Sequence, residues 1–333
     1  MTLSFPVRAN PFPREVLCTN FLYIEPDGTL ESSLNILALD KPSNFHHRVA
    51  AMAKADEWNC IWFFVTNEDG PVSPYANNRI GGDFNYGRLR EWAHKMQEMR
   101  DVGLRPVIFI QCDDGPTFNP ALMDLNVRRI LIDCLLQYFD RFDPVWCIGL
   151  EVSEYLPTHL IHETGMYLQS KTGNPVVVHT QGRMAEIFNH PSIDAGLSEF
   201  SWHPKHKTWK RYIGKRARNF VDFLRQRDGN QRTWQQVRAE AIHNLLACPG
   251  KHQVHGELNW DQDRVDHTLA VATIDTTYSR GVGNCCCPGL ARFLGELPEG
   301  MNSVERGDIV YLSNTEIIVE ANMTNGTVSM YAA

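Results

Sequence analysis

No stretch of this chain approaches the ~18 consecutive apolar residues that a membrane helix requires, so no membrane insertion is expected. No Gly-x-Gly-x-x-Gly follows the first strand pattern, which argues against an open doubly wound sheet built to hold a dinucleotide. The N-terminus lacks a basic start followed by an apolar run, so no signal peptide is read and synthesis in a reducing cytoplasm is expected. Cys-x-x-Cys spacing is missing. Cys285, Cys286 and Cys287 are contiguous, and neighbouring side chains on a strand face opposite ways, which is not the pattern of a zinc site. The nine cysteines are odd in number, and Cys60, Cys112, Cys134 and Cys147 sit inside apolar runs. Reduced core thiols fit that usage better than a disulfide framework. There are thirteen histidines, yet no His-x-His ends the first strand pattern, so a metal hydrolase is disfavoured. No metal or organic cofactor is expected. The net charge of −7 disfavours nucleic acid as a partner.

What is present is an alternation. Hydrophobic content of 43% and charged content of 21% are ordinary for a globular protein, and 333 residues can bury a large core. Residues 1–33, with the turn Pro26-Asp27-Gly28, suit an N-terminal hairpin or extension. From there strands are predicted at 34–40, 59–65, 106–111, 145–150, 175–180, 193–202, 252–258 and 281–287, with helical patterns between most of them. Eight strand–helix units from 34 to about 300 predict a single α/β domain, a (β/α)8 TIM barrel. Residues 301–333 change character. Short strands and the Asn325-Gly326 turn predict a small β extension packed on the barrel.

The barrel reading gives meaning to one stretch, PVWCIGLEVSEY, residues 144–155. A short apolar run opened by proline delivers Glu151 at its carboxyl end, where barrel enzymes keep their chemistry. A second carboxylate, Glu257, ends a similar run about a hundred residues later. Hydrolysis of a glycosidic bond with retention needs one acid to protonate the leaving oxygen and one carboxylate to attack the anomeric carbon, about 5–5.5 Å apart. Glu154 stands three residues beyond Glu151 and is either an alternative acid or a charge at a helix N-terminus. Glu199 is a third carboxylate near the mouth. His179 ends the fifth predicted strand, where it either binds substrate, orients a carboxylate or fills the core. Trp202 and Trp260 follow the sixth and seventh predicted strands and are candidates to stack on sugar rings, with Asn259 beside Glu257.

On these residues the chain resembles the clan of retaining (β/α)8 glycoside hydrolases. The clan's fourth strand reads apolar-Trp-x-apolar-Gly-Asn-Glu. Here Trp146, Ile148, Gly149 and Glu151 match, and Leu150 replaces the asparagine that helps bind the sugar hydroxyl beside the scissile bond. The resemblance implies Glu151 as acid/base and Glu257, at the end of strand seven, as nucleophile. A narrower resemblance, carried by LEVSEY, PVVVHTQG, GEL and GVGN, is to glycosidase-like barrels of bacteriophage tail and virion proteins. It implies cleavage or binding of a host surface polysaccharide. Association with a virion, or assembly into a homo-oligomer, would go with it. The competing expectation is a catalytically silent barrel that binds carbohydrate as a virion component, which Leu150 favours.

One further feature concerns substrate charge. Residues 203–250 read as a helical insertion between strands six and seven, with ten Lys or Arg from Lys205 to Arg232 against only Asp222 and Asp228. Interleaved with Trp209 and Tyr212, that run is either a solvated face or the lining of a groove for an acidic glycan.

Overall fold

The computed structural model describes residues 17–24, 30–32, 54, 58–65, 73–111, 124–180, 182–199, 218–222, 253–258, 302–322 and 327–333. Within these, runs of β-branched and aromatic residues form staves buried on both faces. Every residue of Arg105–Phe109, Val145–Cys147 and Val176–His179 is buried. Burial on both sides suits parallel strands, whose crossover connections cover one face while the sheet's own interior covers the other.

In chain order the strands are β1 (Leu17–Ile24), β2 (Leu30–Ser32), β3 (Cys60–Phe64), β4 (Arg105–Phe109), β5 (Val145–Cys147), β6 (Val176–His179), β7 (Ala195–Glu199), β8 (Arg218–Asp222) and β9 (Gln253–Leu258). The helices described between them are α1 (Tyr86–Asp101), α2 (Leu125–Phe139), α3 (Thr158–Lys171) and the short α4 (Met184–Phe188). Strand β1 pairs in parallel with β3 on one side and with β9 on the other, while β3 through β9 pair in sequence, all parallel. The eight staves β1 and β3–β9 therefore close on themselves, and β2 lies antiparallel against β1. This is the expected (β/α)8 barrel.

The staves differ from the expected set in two places. Leu17–Ile24 does form a hairpin with Leu30–Ser32, but it is also the first stave, so the barrel begins before residue 34. The expected strands at 34–40 and 281–287 lie outside the described residues. Arg218–Asp222, inside the stretch read as a helical insertion, is the seventh stave, hydrogen-bonded between β7 and β9. Its dense flanking charge suggested a solvated helix. What makes Asn219-Phe220-Val221 a strand is the supply of partners on both edges, which is tertiary information. The strand that carries Glu257 is consequently the eighth stave and not the seventh.

Register aligns one interior face. Trp62 pairs with Val107, Phe64 with Phe109, Phe109 with Cys147, Cys147 with Val177, and Val177 with Ala195. These residues, with Cys60, Val145, Leu150 and Leu197, form one buried apolar cluster. Its centre is aromatic: Trp62 and Phe109 have centroids 4.8 Å apart, and Phe64 meets Phe109 edge-on at 5.3 Å. The alternate residues face the helical layer. Trp146 there donates its indole N–H to Asp140 Oδ1 at 2.9 Å, just beyond α2. Helix α1 begins at Asn85, whose side chain accepts from the N–H of Arg88, and α2 begins at Asp124, which accepts from Val127.

The tail is a separate four-stranded antiparallel sheet of β10 (Asn302–Arg306), β11 (Ile309–Ser313), β12 (Ile317–Asn322) and β13 (Val328–Ala332). No helix among the described residues is long and apolar enough to cross a membrane.

Candidate active site at the barrel mouth

The fourth stave does not stop at Cys147. The parallel ladder continues, with Ile148 N–H donating to Val177 O at 2.9 Å and Leu150 N–H to Gln111 O at 3.0 Å. The next two rungs go to a single residue. Glu151 N–H donates to His179 Nδ1 at 3.0 Å, and Val152 N–H donates to His179 O at 3.1 Å. Glu151 thus leaves the stave with its amide held by an imidazole on the adjacent stave.

The backbone at Glu151 is left-handed, with φ at +44°. A residue with a Cβ pays about 1 kcal/mol or more to stand there, and such strain persists only where surrounding contacts impose it. The contacts are on view. Glu154 N–H closes a turn on Glu151 O at 2.8 Å, and Leu156 N–H bonds Val152 O at 2.9 Å. Arg183, at the start of α4, donates to Ser153 O at 2.7 Å, to Leu156 O, and to Thr158 Oγ1 at 3.0 Å. Gly182 N–H donates to Ser153 Oγ at 3.1 Å. The loops after staves four and five are stitched together around Glu151. Gly149 is required beneath: a Cβ there would come 2.5 Å from Tyr155 Oη and 3.1 Å from Gln111 O.

Glu151 is half-buried, Glu154 is exposed, and His179 and Gln111 are each 1% exposed. The His179 ring lies 6.2 Å from Phe109, at the top of the aromatic interior. Because Nδ1 accepts an N–H, the ring in this arrangement is neutral with its proton on Nε2. His179 is thus a buried residue at the end of its stave whose ring accepts the Glu151 amide.

The other candidates divide. Glu199 closes β7 at the register position that continues Ala195 and Leu197, and it pairs with Asp222 of β8. Glu257 is on β9, where the ladder to β1 shifts by one residue between Thr19 and Phe21. Such a shift at a barrel rim re-aims the residues beside it. The side chains of Glu199 and Glu257 lie outside the described residues, as do Trp202, Asn259 and Trp260 altogether. The expected carboxyl separation of about 5–6 Å falls on these positions. Leu150 belongs to the interior cluster and is 7% exposed.

Sequence reasoning missed Gln111, Ser153, Arg183 and Asp222. For Gln111 a signal existed: a polar residue ends the apolar run PVIFIQ, as Glu151 and His179 end theirs. Arg183 acts through backbone carbonyls, which no pattern announces. Among the described residues no group of three or more His, Cys, Asp or Glu is placed to hold a metal ion. Cys60, Cys134 and Cys147 are buried thiols, and burial pushes the Cys134 thiol up to about 11.

The fold is a (β/α)8 barrel with a carboxylate at the end of its fourth stave. No family model and no curated protein matches the chain, but solved structures do. One is a protein of Bacteroides vulgatus described as a candidate glycoside hydrolase, with a TM-score of 0.60 and 9% identity, covering 90% of this chain and 66% of its own. The chain thus spans 66% of that structure's length. Another is a GH30 endoxylanase of Clostridium papyrosolvens, with a TM-score of 0.51, 8% identity, and coverage of 84% of this chain and 78% of its own. A third is an endo-β-1,4-mannanase of Thermotoga petrophila, with a TM-score of 0.50, 9% identity, and coverage of 92% and 83%. At such identities the likeness is one of fold.

Proposed function

We propose that the chain is a retaining glycoside hydrolase that cleaves a polysaccharide, with Glu151 as general acid/base and Glu257 as nucleophile. The observation that carries the reading is the placing of Glu151: half-buried at the carboxyl end of the fourth stave, in a left-handed backbone held by a buried imidazole. In the first step the Glu151 carboxylic acid gives its proton to the leaving glycosidic oxygen as the Glu257 carboxylate bonds to the anomeric carbon. In the second, the Glu151 carboxylate takes a proton from water, and that water displaces Glu257 with retention. Trp202 and Trp260 would stack on sugar rings, and Glu154, Glu199 and Asn259 would meet hydroxyl groups. No metal or organic cofactor enters the scheme.

The test compares Glu151→Gln, Glu257→Gln and Asp222→Asn on polysaccharides and on aryl glycosides with activated leaving groups. Glu151→Gln should lose about 10²–10⁴-fold on polysaccharide yet still release the activated phenol. Glu257→Gln should lose both activities, and Asp222→Asn neither. Loss in Asp222→Asn with activity kept in Glu257→Gln would move the nucleophile to the seventh stave. Equal loss on both substrate types in Glu151→Gln would make that residue structural.

A second reading is favoured by Leu150, whose side chain is packed in the interior cluster where the clan carries a sugar-binding asparagine. On that reading the barrel binds carbohydrate without cleaving it, as a component of a phage virion. Glycan binding with no product after prolonged incubation would favour it. The ten cations from Lys205 to Arg232 support an anionic glycan as the ligand in either case. Their contribution would appear as weaker binding at higher salt, reduced in the triple variant Lys207→Ala, Lys210→Ala, Arg211→Ala.

A further inference from the structure

The geometry points to His179 as the positioning residue for Glu151: its Nδ1, by accepting the Glu151 amide, keeps the carboxylate residue in its left-handed conformation at the mouth. The inference rests on the reading of Glu151 as acid/base, but its physical core stands on the backbone alone. Beyond Leu150 the ladder between staves four and five is interrupted at Glu151, whose N–H goes to the His179 ring, and resumes at Val152. His179 supplies the missing acceptor at 3.0 Å while its own carbonyl takes the N–H of Val152 at 3.1 Å. One residue therefore holds two consecutive amides across the point where φ turns positive.

The imidazole is well fixed for the task. It is 1% exposed, follows three buried valines on a stave, and sits over Phe109. Without the acceptor, Glu151 has every reason to relax toward the right-handed or extended region, which would swing its carboxyl group away. Displacement of a catalytic group by about 1 Å costs on the order of a hundredfold in rate. Only the neutral imidazole can accept here, since a protonated ring carries a hydrogen on both nitrogens.

The variants His179→Asn and His179→Leu separate this role from simple core filling. Asparagine Oδ1 stands where Nδ1 does and can accept the amide, whereas leucine fills the space without an acceptor. Hydrogen exchange at the Glu151 amide, followed by NMR on the whole chain, should stay slow in wild type and His179→Asn. It should speed up about tenfold in His179→Leu, the worth of one net hydrogen bond. In parallel, kcat should fall about a hundredfold in His179→Leu with KM little changed, and most of it should return in His179→Asn. Equal exchange in all three proteins, or equal kcat loss in both variants, overturns the inference. If wild type cleaves no glycan, the acid/base reading fails by itself, and the exchange result still decides whether His179 holds Glu151.

Discussion

The staves β4 and β6 are buried at every residue, whereas β11 of the tail alternates half-buried and buried along its length. The difference is that of a parallel sheet covered on both faces and an antiparallel sheet covered on one. It bears on function. Among the described barrel residues, Gln111, Glu151, His179 and Thr180 stand at the carboxyl ends of staves three to five. In the tail, polar residues such as Glu320 spread along a face, and Tyr331 donates to Glu320 at 2.9 Å on its surface. Concentrated polarity at one end of a closed apolar structure is what makes the mouth a site.

The largest effect that would test this contrast lies in the barrel wall. Trp146→Ala removes a fully buried ring and the N–H that Asp140 accepts, so a loss of about 3–5 kcal/mol is expected in urea unfolding. A loss below 1 kcal/mol would mean the wall is loosely packed. Gly149→Ala comes next. Overpacking against Tyr155 and Gln111 should cost about 1–3 kcal/mol and lower turnover together with stability, because the same loop carries Glu151. Val319→Ala in the tail should cost about 1.5–2 kcal/mol, two buried methyls, and leave turnover unchanged. A fall in turnover from Val319→Ala would erase the functional difference between the two sheets.

Smaller still is the release of strain. Glu151→Gly should raise stability by about 1 kcal/mol while abolishing activity, since glycine stands at φ +44° without cost. A drop in melting temperature would refute the strain. The last effect concerns acid. His162 of α3 stacks on His190 with centroids 3.7 Å apart. Burial, and then the neighbouring His190, pull its pKa from 6.5 down to about 4, with Glu186 and the carbonyls of Glu186 and Ile187 opposing. The unfolded chain binds this proton more readily, so stability is unaffected above pH 6.5 and declines as pH falls from there toward 4. Melting curves at pH 7 and pH 4.5 should show a larger acid loss in wild type than in His162→Gln. Equal losses would remove His162 as the cause.

Much of the fold was legible because parallel staves announce themselves. CIWFF, PVIF, VWC and VVVH are too apolar and too short to be anything but doubly covered strands, and their spacing sets the barrel. Glu151 was legible for the same reason, as the first charge after such a run. The seventh stave was not, because Arg218 and Asp222 bracket only three residues of strand character amid ten cations. Leu17–Ile24 reads as half of a hairpin, which it is. Its second role as the closing stave depends on β9, more than two hundred residues away.

By itself the amino-acid sequence determined the alternation of strand and helix, the apolar interior, and a carboxylate at the end of the fourth stave, since each follows from local pattern and burial. Only the tertiary structure decided which strands complete the ring, that Glu257 stands on the eighth stave, and that His179 grips Glu151 at 3.0 Å. Register and closure are set by partners distant in the chain. At Glu151 the left-handed backbone coincides with an acceptor supplied by the neighbouring stave.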